Sequence, residues 1–420
     1  MFCAPTNHNP AQHKIMARLL ISDKIKAEKQ ARINSASIRQ RRVIQAREGV
    51  IVKCDGRELV NFSSNDYLGL SQHLDVVSAL QESAAYHGVG STGSALVCGY
   101  HQEHASLEKE IAEWLGYEKA LYFGSGYLAN LAVMQSLLGP GDVCVQDKLN
   151  HACLLDGARL AYCELKRYPH VDVSAALRQL TSHRDGAAML ATDSVFSMDG
   201  DMAPLRDLVL LTRTQDAMLY VDDAHGMGVL GPDGRGSVAA AKLSSREVPL
   251  LVLPMGKAFG GQGAVLCGSE AVIGHISETA RPYLFSTAPP PAMAAAMRAS
   301  LKLIRGEPWR RAKLASLISR FRRSGMRHGL PLQDSQTAIQ PIVLGDNAKA
   351  LKIAKSLEAQ GYLVSAIRPP TVPEGQARLR VTLTALHSEE QVDGLITALA
   401  FALDENRKLP ENSTEENVNS

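Results

Sequence analysis

The chain contains no run of eighteen or more apolar residues, so no segment is expected to span a bilayer as a helix. Its first fifteen residues are polar and lack the apolar stretch of a secretory signal, and Met16 offers an alternative start that would make residues 1–15 an extension. The seven cysteines, at positions 3, 54, 98, 144, 153, 163 and 267, form no C-x-x-C pair and no metal-ligand spacing. Such an odd, scattered set fits buried thiols in a reducing compartment, and a cytoplasmic location is expected. Charge is also nearly absent in the balance: 45 Lys and Arg face 43 Asp and Glu, a formal net of +2. That gives no global electrostatic attraction to nucleic acid. No internal repeat is visible.

With 420 residues, 45% apolar and 21% charged, the composition is that of an ordinary soluble globular protein. Single cores stop growing near roughly 250–300 residues, so two domains are expected. Residues 18–58 read as an N-terminal helical segment, with helical spacing and many Arg and Lys over 18–48 and a hairpin-like stretch at Cys54-Asp55-Gly56-Arg57. Residues 59–297 read as a large domain. There, apolar runs at Ala120–Phe123, Val143–Gln146, Ala188–Ala191, Met218–Val221, Leu250–Leu253 and Ala264–Cys267 alternate with amphipathic helices. Alternation of this kind predicts a mostly parallel sheet covered on both faces, with ligands at the carboxyl ends of its strands. Residues 298–405 read as a smaller α+β domain. Residues 406–420, rich in Glu, Asn and Ser, read as a disordered tail, and residues 1–17 as a disordered extension.

Several motifs carry little. Gly88-Val89-Gly90-Ser91-Thr92-Gly93 matches G-x-G-x-x-G, but a helix-like stretch (Val76–Tyr86) precedes it where a dinucleotide site needs a strand, so a loop is expected. His101 and His104 lack further ligands at suitable spacing, and a capping or buried polar role is expected in place of a metal. Asp199-Gly200-Asp201 lacks the rest of a calcium loop and reads as a tight turn.

Two segments carry more. Leu219-Tyr220-Val221-Asp222-Asp223-Ala224-His225-Gly226 is an apolar run ending in a carboxylate and a histidine. Another apolar run, from Leu250, ends in Met255-Gly256-Lys257-Ala258-Phe259-Gly260-Gly261, a lysine among glycines. Buried ammonium groups are costly, and desolvation lowers the amine pKa and makes it nucleophilic, as Schiff-base chemistry requires. An aspartate at the end of a nearby parallel strand suits a pyridinium proton. This is the layout of a pyridoxal 5'-phosphate (PLP) enzyme. Phe123-Gly124-Ser125-Gly126-Tyr127-Leu128-Ala129-Asn130 reads as strand, glycine turn and helix start, a natural phosphate site. His151, after a strand, has a flat face suited to stacking on a pyridine ring.

Together with Asn61-Phe62-Ser63-Ser64-Asn65-Asp66-Tyr67-Leu68-Gly69-Leu70, Val195-Phe196-Ser197-Met198-Asp199-Gly200-Asp201 and Ile367-Arg368-Pro369-Pro370-Thr371-Val372-Pro373, these motifs make the chain resemble the α-oxoamine synthases over about residues 39–403. The resemblance implies a fold-type-I PLP transferase: a mostly parallel seven-stranded sheet in a large domain, plus a smaller α+β C-terminal domain. It further implies that Lys257 forms the Schiff base and moves the Cα proton, that Asp222 pairs with the pyridine nitrogen, and that His225 and Ser197 contact the phenolic oxygen. His151 would stack on the ring, and the Gly126 and Tyr127 backbone would hold the phosphate. Arg39, Asn65 and Thr371 match substrate contacts, and Arg380 matches the arginine that clamps the amino acid carboxylate. Ser286 and Thr287 match a segment reaching the phosphate of a neighbouring subunit, so a homodimer with shared sites is expected.

The Arg368–Pro373 run points to the branch that joins L-alanine to a pimeloyl thioester, as pimeloyl-CoA or pimeloyl acyl carrier protein, and away from relatives using glycine and an acetyl thioester. A non-catalytic sibling subunit is the remaining alternative, opposed by the presence of Lys257 with Asp222 and His225. One departure stands out. Pro254 lies three residues before the lysine, where the family has a Thr or Ser hydroxyl on the phosphate. A charge-assisted hydrogen bond contributes roughly 1.5–3 kcal/mol, so weaker cofactor retention is expected.

Overall fold

A computed structural model describes residues 18–183 and 185–408; the expectations for the first seventeen residues and for 409–420 lie outside the described residues. The chain divides into two compact units between Arg42 and Val43. In the first, helix α1 (Ile21–Asn34) stops where the Ser35 hydroxyl donates to the Ala31 carbonyl and Ala36 turns to a positive φ of 49°.

The second unit begins with strands, correcting the expectation of a helical segment over 18–58. β1 (Ile44–Glu48), β2 (Ile51–Cys54) and β3 (Arg57–Asn61) form an antiparallel meander. Two local signals outweigh the helical spacing. Val52 and Cys54 are buried while Lys53 is exposed, and Asp55-Gly56, with φ of 52° and 75°, supplies the left-handed pair that a tight hairpin needs.

Helices α2 (Leu74–His87) and α3 (Gln102–Leu115) lead into the main sheet. Its strands and following helices alternate: β4 (Lys119–Phe123), α4 (Gly126–Leu137), β5 (Val143–Asp147), α5 (Ala152–Leu160), β6 (Glu164–Tyr168) and α6 (Val173–Thr181) come first. Then follow β7 (Ala188–Asp193), α7 (Leu205–Thr214), β8 (Met218–Asp222), α8 (Gly236–Ala240), β9 (Leu250–Pro254) and β10 (Ala264–Gly268). The spatial order is β4-β10-β9-β8-β7-β5-β6, with β10 alone reversed. This is the mostly parallel seven-stranded sheet the resemblance implies. Alternate residues feed two cores: Leu219 and Val221 face one hydrophobic cluster and Tyr220 the other.

Helices α9 (Glu270–Thr279), α10 (Arg281–Leu284), α11 (Pro291–Gly306) and α12 (Pro308–Arg327) follow. The boundary expected at 297–298 falls inside α11, a continuous helix packed on α2 and α3. Next come β11 (Ile339–Gly345), α13 (Asn347–Ala359), β12 (Tyr362–Leu363), β13 (Ser365–Ile367), β14 (Ala377–Thr382) and α14 (Glu389–Lys408). β11, β14 and β13 make an antiparallel sheet, whereas β12 joins β3 in parallel. The helix α14 includes residues 406–408, so the start of the expected tail is helical.

The weak motifs resolve as expected. The glycine-rich stretch 88–93 is a loop, and His104 Nδ1 accepts the His101 N–H at the start of α3 while Nε2 meets the Pro289 carbonyl. Asp199–Asp201 is a turn with Gly200 at φ 73°. The thiols depart in part: Cys54, Cys144, Cys153 and Cys267 are buried, but Cys98 is exposed. Among the described residues no helix is long and apolar enough to cross a membrane.

Candidate active site

Because β4, β5, β7, β8 and β9 run the same way, their carboxyl ends share one edge of the sheet, and a cleft of about 210 Å³ opens there. Asp222 is the last residue of β8, in register with Asp193 at the end of β7. Lys257 follows β9 after Met255 and Gly256, and His151 caps α5 beyond β5. Gly126 and Tyr127 open α4 beyond β4. All line the cleft, together with Ser197 and His225. Seven of the sequence-expected cofactor residues therefore converge, and among them only Gly126 and Tyr127 are adjacent in the chain.

Burial pulls the Lys257 ammonium pKa down, and the Asp222 carboxylate opposes that shift. The Asp222 carboxylate is buried. Its Oδ1 accepts the Ala224 N–H at 3.0 Å and its Oδ2 the Asn130 Nδ2 at 2.7 Å. His151 keeps Nδ1 for the Cys153 N–H at 3.3 Å and the Cys153 sulfur at 2.8 Å. Burial lowers its pKa, so the ring is neutral at physiological pH with the hydrogen on Nε2. Its backbone N–H donates to Asp193 Oδ2 at 2.8 Å, and burial, reinforced by Asp222, holds the Asp193 carboxyl well above the usual range.

At the other end, the Leu128 N–H goes to the Ser125 hydroxyl and the Ala129 N–H to the Ser125 carbonyl, which leaves the Gly126 and Tyr127 N–H groups facing the cleft end. A Cβ on Gly126 would lie 2.6 Å from Pro254 Cγ, so only glycine lets the helix start come this close to β9. The Tyr127 hydroxyl donates to Asp156.

A second group, outside the lining of this cleft, centres on Arg380. Arg380, buried on β14, donates from Nε to the Ser197 carbonyl (2.6 Å) and from Nη1 to Asn65 Oδ1 (3.1 Å) and Thr382 Oγ1 (2.9 Å). Those bonds engage Nε and Nη1, and the guanidinium also acts on the Tyr67 hydroxyl. Tyr67 joins this group to His225, its hydroxyl lying 2.6 Å from Nδ1 and 3.4 Å from Asn65 Oδ1.

Not every expected residue comes to the cleft. Ser286 is half-buried and Thr287 exposed, and neither lines it. Thr371 is exposed after the cis Pro369–Pro370 bond and is likewise not part of the lining. Arg39 belongs to the first compact unit. Pro254, the departure noted in the sequence, lines the cleft, and Asn130, Cys153, Asp193 and Gln262 line it without having been singled out as site residues by their sequence. Asn130 closes the phosphate-type motif and Cys153 lies two residues after His151, so proximity to those motifs was the available signal.

The donor set fits PLP. It has an amine of depressed pKa, a buried carboxylate, an imidazole face and a helix start whose glycine cradle would be filled by a Cβ. The family model of class I and II aminotransferases matches residues 57–399. An 8-amino-7-oxononanoate synthase from Xanthomonas axonopodis pv. citri (strain 306) is 56% identical over 390 residues, covering 93% of this chain and 97% of its own. That of Xylella fastidiosa (strain M12) is 54% identical with the same coverage. Among solved structures, an 8-amino-7-oxononanoate synthase from Francisella tularensis matches with a TM-score of 0.73 and 31% identity, over 83% of this chain and 99% of that one. Serine palmitoyltransferase from S. paucimobilis, solved with a bound PLP–myriocin aldimine, matches with a TM-score of 0.88 and 26% identity, over 93% of this chain and 100% of its own. The chain belongs to the 8-amino-7-oxononanoate synthase family, within the class I and II aminotransferases.

Proposed function

We propose that the protein condenses L-alanine with a pimeloyl thioester, carried on CoA or on acyl carrier protein, to give 8-amino-7-oxononanoate, CO2 and the free thiol. The observation that carries this reading is the convergence of Lys257, Asp222, His151 and His225 on one cleft above the start of α4. PLP bound there supplies an electron sink for the negative charge that develops at the amino acid's α-carbon.

The residues divide the work. The Gly126 and Tyr127 N–H groups, at the positive end of α4, would hold the phosphate. Asp222, an acceptor fixed by Asn130 and Ala224, would keep a proton on the ring nitrogen. His151 would stack on the ring, and His225 with Ser197 would contact its phenolic oxygen. Lys257, a desolvated amine, would remove the α-proton and later return it. Arg380, positioned by its bonds to Ser197, Asn65 and Thr382, would bind the alanine carboxylate.

The acyl side and the assembly are supported by less direct features. Arg39 and Thr371 are assigned to the acyl substrate by their motif positions. Ser286 and Thr287 sit away from their own chain's cleft beside Phe285, which is 72% exposed, as expected if this segment reaches a second protomer. The protein is proposed to work as a homodimer in the cytoplasm.

The test is product formation. PLP-reconstituted protein receives L-alanine with pimeloyl-CoA, and in parallel glycine with acetyl-CoA, with mass spectrometry of both. Product from alanine alone supports the reading. Product from glycine alone contradicts it.

A further inference from the structure

Three buried polar residues without an expected role, Tyr220, Asn130 and Cys153, link Asp222 to His151 at the cleft. The Tyr220 hydroxyl donates to Asn130 Oδ1 at 2.6 Å. The Asn130 amide nitrogen donates to Asp222 Oδ2 at 2.7 Å and contacts the Cys153 sulfur at 3.1 Å. That sulfur in turn lies 2.8 Å from His151 Nδ1. Tyr220 and Asn130 are fully buried, and Cys153 and Asp222 nearly so. The amide orientation is dictated by its neighbours: reversed, Asn130 would set an oxygen against the Asp222 carboxylate. Both amide hydrogens are then committed, one to each arm. Close packing fixes the arrangement, because a Cβ on Gly157 of α5 would lie 2.8 Å from Met134 and 3.1 Å from the Asn130 carbonyl, both on α4.

From this geometry we infer that Asn130 is a positioning residue, holding Asp222 at one edge of the cofactor ring and, through Cys153, His151 over its face. The inference rests on the PLP reading of the cleft. A carboxylate with one oxygen on the Ala224 N–H and the other on Asn130 has no freedom to rotate, so its lone pair is aimed before the cofactor arrives. The Tyr220 phenol is kept protonated by burial, with the Asp222 charge adding to the effect, so it remains a donor and keeps the amide from turning. Cys153 and Asn130 together set the His151 tautomer, with Nδ1 as acceptor and Nε2 bearing the hydrogen. A purely structural asparagine, tying α4 to β8, would contribute to folding stability and to nothing else.

The experiment is a PLP titration of full-length protein, followed by absorbance, with the pH midpoint of the bound cofactor's visible band recorded for wild type, Asn130→Ala and Tyr220→Phe. Thermal unfolding of the three cofactor-free proteins is measured alongside. Asn130→Ala is expected to weaken PLP binding roughly ten- to hundredfold, the scale of a hydrogen bond to a charged group. Its band midpoint should rise, because a loosely aimed Asp222 holds the ring proton less well. Tyr220→Phe keeps the volume and the Asn130–Asp222 pair, and is expected to show the same two changes at smaller size, which guards against misfolding of the alanine variant. Wild-type affinity and an unmoved midpoint in both variants, whatever their unfolding temperatures, would overturn the inference while leaving the PLP reading intact. Failure of wild type to take up PLP would overturn the reading itself and the inference with it.

Discussion

The hydroxyl of Tyr67 lies 2.6 Å from Nδ1 of His225, a residue 158 positions further along the chain. Burial, only partly offset by Arg380, pushes the Tyr67 pKa up to about 12, so the phenol donates. Burial, helped by Lys257 and Arg380, drives the His225 pKa well below its ordinary value, so the imidazole is neutral and Nδ1 accepts. The remaining hydrogen is on Nε2, available to the cofactor's phenolic oxygen. Replacing Tyr67 by Phe strands a buried nitrogen. Its expected cost is about 1–3 kcal/mol of stability, read by urea unfolding, with a fall of about tenfold or more in kcat/KM. Unchanged kinetics would show that His225 does not depend on this partner.

Arg380 is held by three hydrogen bonds from Nε and Nη1. Lysine at this position retains the charge but loses the planar fork. Arg380→Lys is therefore expected to raise the KM for L-alanine by roughly ten- to a hundredfold, the worth of a charge-assisted bidentate contact, while PLP affinity stays near wild type. A change confined to PLP affinity would place Arg380 elsewhere in the mechanism.

The Gly126–Pro254 contact makes two opposite expectations. Gly126→Ala drives a methyl to within 2.6 Å of Pro254 Cγ and displaces the helix start, so PLP retention during dialysis should be lost or sharply reduced. Pro254→Thr supplies the hydroxyl that the sequence departure removed. It is expected to tighten PLP binding about tenfold or more, consistent with one hydrogen bond to a charged group. Equal retention by wild type and Pro254→Thr would remove the argument from the missing hydroxyl.

His170 ties the turn that follows Ser197 to the sheet, its two nitrogens reaching Asp147 Oδ1 at 3.0 Å and Asp201 Oδ2 at 2.6 Å. Burial disfavours its charge, but the hydrogen bonds and charges of the two carboxylates outweigh that and push the pKa up to about 10. The unfolded chain releases this proton near pH ~6.5. The ion-pair stabilisation is thus complete below about pH 6.5 and lost as pH rises through 10. Thermal unfolding from pH 6 to 10 should show the decline, and His170→Gln should flatten it. Parallel curves for the two proteins would contradict the assignment.

The parts of this molecule visible in its sequence are those written locally. The apolar runs that became β4, β5, β7, β8, β9 and β10 are buried on both faces, and such runs are legible without context. Lys257, Asp222 and His151 could be placed because each lies at or just beyond the carboxyl end of a strand, and those ends share an edge in a parallel sheet. The hairpin-like stretch at Cys54–Arg57 is the turn between β2 and β3, whereas β1 was hidden by charged residues with helical spacing. Tyr67, Asp193 and Asn130 were missed as site residues for another reason. Their importance comes from partners 158, 42 and 92 positions away, which no periodicity records.

The most direct measurement is chemical mapping of the lysine. Protein equilibrated with PLP is reduced with borohydride, digested and analysed by mass spectrometry. The account expects the pyridoxyl phosphate mass on one peptide, at Lys257, and its loss from that peptide in Lys257→Ala. Label on a different lysine, or none under conditions where the holoenzyme is active, would contradict it.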